Sequence, residues 1–292
     1  MPITTTVAHA LRQLLALGLE RLDAQLLLLH VLARDADDRA WLIAHDTDLL
    51  SPATIALLNA AALRRASGEP LAYITGHKEF FGLDIQVDPR VLIPRPDTET
   101  LVEWALELLA PTSHAARVLD LGTGSGAIAL ALQHARSDLD VLALDFSSDA
   151  LAVARANAQR LQLPVGFVQG SWMSGLQGKF SLIVSNPPYI ASADHHLAAL
   201  QFEPLTALAS GSDGLDDIRT IIGQAPAHLL PGGWLLLEHG YDQANMVRTL
   251  LEAAGWKGVQ SRRDLSGTER CTGACFDDTD HLVQTTSLTV SC

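Results

Sequence analysis

The apolar positions along this chain change their period twice. Over the first seventy or so residues they follow a helix. Val7, Leu11, Leu14 and Leu15 fall at i, i+4, i+7 and i+8, one face of a helix that Gly18 can end. The stretch Arg21-Leu22-Asp23 onward continues as a second helix, with Asp23 as a candidate N-cap. A third starts at Ser51, a capping residue, followed by Pro52 at the first helical position. Gly68 and Pro70 stop it. No strand pattern interrupts these segments, so residues 1–75 are expected to form a small helical bundle. From 76 to 96 the pattern alternates. Leu83, Ile85 and Val87 point one way, as in one arm of a hairpin. Pro94 and Pro96 then stiffen an extended exit around Arg95.

From residue 97 onward, helical and strand patterns take turns. Helices are expected at 98–109, 127–135 and 149–161, with strands at 117–121, 140–145, 165–169, 181–185 and 234–239. Repeated strand and helix units give an open parallel sheet covered on both faces. This catalytic-size region is expected to span 97–276, and 277–292 reads as a loose tail without pattern.

Composition narrows the choice of function. Hydrophobic residues make up 48% and charged residues 18%, enough for a substantial core and too apolar for disorder. Formal net charge is −13, which disfavours a protein that lives on nucleic-acid phosphate. Three cysteines, Cys271, Cys275 and Cys292, make no disulfide framework. They also lack supporting ligands at metal-site spacing, so no metal is expected. Neither a signal-peptide pattern nor an apolar run of membrane length is present. The expectation is a cytoplasmic enzyme, monomeric, with no membrane partner.

Two motifs carry chemistry. The first is the loop Gly122-Thr123-Gly124-Ser125-Gly126 between a strand and a helix. Its glycines let a ligand approach the backbone, and the helix offers its N-terminus. Asp145 ends the next strand, where an acid can hold ribose hydroxyls. Gly122, Gly124 and Ala127 also satisfy a dinucleotide fingerprint, so an NAD enzyme competes with an S-adenosylmethionine enzyme. The full G-x-G-x-G with Asp120 before it favours S-adenosylmethionine.

The second motif is Asn186-Pro187-Pro188-Tyr189, at the end of the fourth strand of the sheet. Ligands in such sheets bind outside the carboxyl ends of the strands, and strand four is expected beside strand one. The prolines lack N–H groups and leave bare carbonyl acceptors. Asn186 adds an acceptor, and Tyr189 a flat face for a planar group. Such a set suits an incoming conjugated NH2. No Lys, His or carboxylate lies within the motif to act as base. Positioning for in-line displacement at a sulfonium methyl is the expected mechanism, and good alignment contributes ~7–11 kcal/mol.

With these motifs in place, the chain resembles the HemK/PrmC-type protein-(glutamine-N5) methyltransferases, which modify peptide chain release factors. The resemblance covers roughly residues 8–275. It rests on both motifs, on Ile93-Pro94-Arg95-Pro96-Asp97-Thr98-Glu99, on the stretch from Phe202 to Leu215, and on Gly232 to Gly240. It implies a class I S-adenosylmethionine-dependent methyltransferase, Rossmann-like, with a mostly parallel seven-stranded sheet and a small N-terminal helical domain. The acceptor would be the glutamine of the release factor's Gly-Gly-Gln loop. S-adenosylmethionine would lie on Gly122–Gly126 with its ribose on Asp145 and its adenine near Trp172. Asn186 and the Pro187 carbonyl would bind the glutamine NH2, Tyr189 would pack on the amide, and the N-terminal helices would dock the release factor. One departure is Ser171, where the family usually carries an acid. Sister enzymes act on a glutamine of a large-subunit ribosomal protein, and other carriers of Asn-Pro-Pro-Tyr act on adenine N6 in nucleic acid. Pro96-Asp97-Thr98-Glu99 favours release factors over the ribosomal protein, and the acidic charge disfavours nucleic acid.

Overall fold

A computed structural model describes residues 5–109 and 116–277. The chain divides into two compact units, Met1–His77 and Lys78–Cys292.

The first unit is helical, with α1 (Val7–Ala16), α2 (Arg21–Val31), α3 (Arg39–Ala44), α4 (Pro52–Ala66) and α5 (Leu71–Thr75). Capping explains two of the starts. The Thr6 hydroxyl accepts the His9 N–H at 3.2 Å, and the Ser51 hydroxyl accepts the Thr54 N–H at 3.1 Å. Asp23 does not cap α2 as expected. The helix begins one turn earlier, after Glu20, and Asp23 falls in its first turn, where its carboxylate accepts from Arg65 at 2.6 Å. Apolar residues Leu14, Leu27, Leu28, Leu58 and Ala62 close the core of this unit.

The hairpin follows as β1 (His77–Phe80) and β2 (Leu83–Gln86). Its two linking residues, Phe81 and Gly82, both have positive φ, 50° and 76°. A tight hairpin turn that matches strand twist demands that, and Phe81 accepts the left-handed conformation to provide it. After an extended stretch and a turn at Pro96–Thr98 comes α6 (Glu99–Leu108).

Seven strands then form one sheet: β3 (Arg117–Leu121), β4 (Asp140–Asp145), β5 (Gly166–Gln169), β6 (Phe180–Ser185), β7 (Leu229–Glu238), β8 (Lys257–Arg263) and β9 (Glu269–Cys275). Their order is β5-β4-β3-β6-β7-β9-β8. The first five pair in parallel, and β9 runs antiparallel to both neighbours. Between them lie α7 (Ala127–Ala135), α8 (Ser148–Leu161), α9 (Asp216–Gln224) and α10 (Ala244–Ala253). Central strands buried on both faces read as continuous apolar runs, and Leu119, Leu121, Ile183, Leu235 and Leu237 supply them here.

The sheet is thus mostly parallel, and β6 lies beside β3 as expected. The residue pattern alone missed β8 and β9. Lys257–Arg263 has one large apolar residue, Val259, and Glu269–Cys275 has only small or polar ones beside its cysteines. Cys271 is buried on β9 and Cys275 half-buried, both as free thiols. Cys292 and the predicted tail beyond Asp277 lie outside the described residues. Among the described residues no helix is long and apolar enough to cross a membrane.

Candidate active site

The chain winds from β3 outward through β4 to β5, then returns to place β6 on the other side of β3. That reversal is a topological switch point, where open α/β sheets bind ligands. A cavity of about 540 Å³ opens there, within the range that holds a small molecule. It brings together Gly122, Gly124, Asp145, Trp172, Asn186 and Pro188.

The glycine loop is held by backbone. The N–H groups of Gly122 and Thr123 both donate to the Leu144 carbonyl, at 2.8 and 3.0 Å. Gly122, Gly124 and Gly126 all have positive φ, so the loop needs residues free of a β-carbon. Gly126 does not line the cavity. A β-carbon there would sit 3.1 Å from Leu130 and 3.2 Å from Ala154, so this glycine lets α7 pack against α8. Thr123 and Ser125 are buried and also stay off the cavity wall. The Thr123 hydroxyl donates to Asp120 at 2.6 Å. Asp120 is fully buried beneath the loop, and burial pushes its carboxyl up to about 7.

Asp145 closes the other side of the loop. Its Oδ2 accepts the Gly124 N–H at 2.8 Å and its Oδ1 accepts the Ser147 N–H at 2.9 Å. Burial raises its pKa against these stabilising backbone bonds. Each carboxylate oxygen keeps a lone pair for a further donor. Phe146, 73% exposed, lines the same cavity and offers a flat face.

Trp172 has φ of 48°. This left-handed backbone turns its ring onto the glycine loop, 3.6 Å from where a Gly122 β-carbon would stand. The indole N–H donates to Asp217 Oδ1 at 3.0 Å. Asp217, in the first turn of α9, also lines the cavity beside Ser171. Sequence reading passed over it, because an acid at the start of a helix ordinarily complements the dipole.

Asn186 and Pro188 line the cavity, whereas Pro187 and Tyr189 do not. Asn186 Nδ2 donates to the Thr98 hydroxyl at 3.2 Å. The Tyr189 hydroxyl lies 3.4 Å from Glu238 Oε1, and burial with that neighbouring carboxyl raises the phenol's pKa. The Tyr189 carbonyl accepts from Gln243 Nε2 at 2.9 Å. Behind this wall, Glu203 anchors the segment that carries Thr98. It is 7% exposed, accepts the Ile93 N–H at 3.1 Å and pairs with Arg95. Asp97 pairs with Arg270 at 3.0 Å. Thr98, Glu203 and Glu238 all fall within stretches that carried the family resemblance, yet nothing in their spacing told what they contact. The one group of metal-ligand atoms within 4.8 Å of one another among the described residues is Asp194, His195 and His196. Its two histidines face solvent.

Comparison with known proteins completes the picture. Residues 5–76 match the PrmC N-terminal domain and residues 98–203 the methyltransferase small domain. The release factor glutamine methyltransferase of Bordetella pertussis is 52% identical over 260 residues, 88% of this chain and 95% of that protein. The Burkholderia pseudomallei protein of the same name is 48% identical over 282 residues, 93% of this chain and 96% of its own. A crystal structure of a methyltransferase from Pyrococcus furiosus superposes with a TM-score of 0.51 at 22% identity, over 75% of this chain and 96% of that one, which supports the fold. By sequence kinship across almost its whole length, this chain belongs to the release factor glutamine methyltransferase family.

Proposed function

We propose that this enzyme methylates the side-chain amide nitrogen (N5) of the glutamine in the Gly-Gly-Gln motif of peptide chain release factors, using S-adenosylmethionine. The observation that carries the reading is the shared cavity. Asn186 and Pro188 from the end of β6 face the same space as Gly122 and Asp145 from the ends of β3 and β4. A methyl donor and a planar NH2 acceptor both fit such a place.

The site suits that donor. The glycine loop leaves room at Gly122 and Gly124, Asp145 offers acceptor capacity for ribose hydroxyls, and Trp172 and Phe146 offer aromatic faces near an adenine. S-adenosylmethionine, when bound, supplies a methyl group on a sulfonium sulfur. The protein's part is to hold the acceptor. Asn186 Oδ1, on the cavity wall, accepts one N–H bond of the glutamine amide, and the Pro187 carbonyl, which stands off that wall, is the acceptor in the motif for the other; together they draw electron density onto nitrogen and aim its free face. Tyr189 backs this wall and limits how the amide plane can tilt. With no base in the motif, the amide proton leaves during or after transfer to nitrogen.

The helical unit is the docking element for the folded release factor. A short Gly-Gly-Gln peptide lacks those remote contacts and is therefore a poor substrate. Transfer of labelled methyl to purified release factor, to its Gln→Ala variant, to ribosomal protein and to nucleic acid tests the reading. Label should appear on the first alone. Equal label on the Gln→Ala variant, or preferential label on ribosomal protein or nucleic acid, would overturn it.

A further inference from the structure

An amide side chain has two faces that differ in sign. The Asn186 oxygen accepts, and its NH2 donates. An incoming glutamine NH2 can be held only if the oxygen faces it. Asn186 itself cannot decide this, since a half-turn about its last bond exchanges the two ends. Something behind it must choose.

Two buried residues stand behind it. Thr98 is 4% exposed and Glu238 1% exposed. The Asn186 NH2 donates to the Thr98 hydroxyl at 3.2 Å, and the Thr98 hydroxyl is close enough to the Glu238 carboxyl to favour its ionised form. Glu238 Oε1 also faces the Tyr189 hydroxyl at 3.4 Å, while Oε2 has no hydrogen-bond partner among the described residues. The direction of this chain follows from chemistry. An ionised carboxylate only accepts, so Thr98 must donate its single proton to Glu238. The Thr98 oxygen can then only accept from Asn186, and Asn186 must turn its NH2 inward. Its Oδ1 is left toward the cavity.

We propose that Thr98 and Glu238 are positioning residues that fix the polarity of the Asn186 amide, presenting an acceptor rather than a donor to the substrate nitrogen. The proposal rests on the reading that Asn186 Oδ1 takes a hydrogen bond from the glutamine amide. It assigns the two residues a share in substrate selection, although neither touches the substrate. Any group lacking an N–H at the reacting position finds an unsatisfied buried acceptor instead, which disfavours it.

Protonation of Glu238 would break the direction of the chain. A neutral carboxyl can donate to the Thr98 oxygen. Thr98 would then give its proton to Asn186, which must answer with Oδ1 and turn its NH2 to the cavity. Burial pushes Glu238 up to about 7. Arg270 opposes that rise, Asp97 adds to it, and the Thr98 and Tyr189 hydroxyls stabilise the ionised form. The buried thiol of Cys271 also feels this carboxyl. The neutral form therefore gains weight as pH falls through about 7, the wrong polarity with it, and kcat should decline on that side.

Four variants of the full-length enzyme test this, with methyl transfer to intact release factor as one readout and S-adenosylmethionine affinity as the other. Thr98→Val keeps the shape and removes the hydroxyl. It should lower kcat by roughly 10²-fold, as losing a preorganised polar contact does, with cofactor affinity unchanged. Thr98→Ser should restore most of the rate. Glu238→Gln should be slower than wild type, and its kcat should no longer fall on the acid side of neutrality. Asn186→Ala separates this proposal from the one beneath it. Wild-type turnover in Asn186→Ala removes the amide clamp itself. An inactive Asn186→Ala beside a fully active Thr98→Val leaves the clamp standing and overturns the relay. Loss of cofactor affinity in Thr98→Val, failure of Thr98→Ser to rescue, or an unchanged acid limb in Glu238→Gln would each also count against it.

Discussion

The two walls of the cavity are built by different means. On the glycine-loop wall the backbone makes the shape. The N–H groups of Gly122, Thr123 and Gly124 are tied to the end of β4, two through the Leu144 carbonyl and one through Asp145. On the acceptor wall, side chains from distant stretches do the holding. Thr98 meets Asn186, Glu238 meets Tyr189, and Gln243 holds the Tyr189 carbonyl. The first wall should bear many side-chain changes as long as its glycines and its acid remain. Each polar partner of the second wall should matter. The division also matches the proposed chemistry, in which the donor is held by shape and the acceptor by direction.

The largest effect should come from breaking the acceptor wall at its centre. Asn186→Ala should cut turnover by ~10²-fold or more while S-adenosylmethionine binding stays normal. Single-turnover kinetics beside calorimetric titration would show the split, and a parallel loss of both would erase the distinction between the walls. Next comes Asp145→Ala, which removes a charged acceptor from the glycine-loop wall. Hydrogen bonds to charged groups contribute ~1.5–3 kcal/mol, so cofactor affinity should weaken roughly ten- to a hundredfold. At saturating cofactor most of the rate should return. Unchanged affinity in a folded variant would take Asp145 out of the site.

The smallest effect probes the buried brace of the glycine-loop wall. The Asp120 carboxyl ordinarily titrates near 3.8 and is pushed up to about 7 in the fold because it is buried. Its folded pKa therefore lies above its unfolded one. The stability that the neutral form contributes is complete below about 3.8 and is lost as pH rises through about 7. Asp120→Asn mimics the neutral form at every pH. Its Tm relative to wild type should accordingly improve between pH 5 and pH 8, by a few degrees. Thermal melts that stay parallel across that range would mean that Asp120 does not change its charge in the fold.

The contrast between the walls also explains what could be read from the residues alone. Local devices were legible. The Ser51 cap, one arm of the hairpin, the glycine loop and its helix all act over a few positions, and spacing exposes them. The switch-point position of Asn186 to Tyr189 was legible too, because strand order in such sheets follows few rules. Long-range partners were not. Thr98 and Asn186 lie 88 positions apart, and Ile93 and Glu203 lie 110 apart. Nothing in spacing reports such a pair. Asp23 misled because a capping residue and a first-turn acid look alike without coordinates. The last two strands escaped because an antiparallel edge pair with arginines and small residues shows no apolar alternation.

Trp172 puts the same enzyme in front of two different selections. Its backbone sits at φ 48°, a conformation that costs most L-residues roughly 1–2 kcal/mol and glycine almost nothing. A library sorted for heat resistance alone should drift toward glycine or asparagine at position 172. A library sorted for methyl transfer should keep an aromatic ring against Gly122. Sequencing both pools would turn one backbone angle into a count of what this enzyme gives up in stability to keep that ring against the glycine loop.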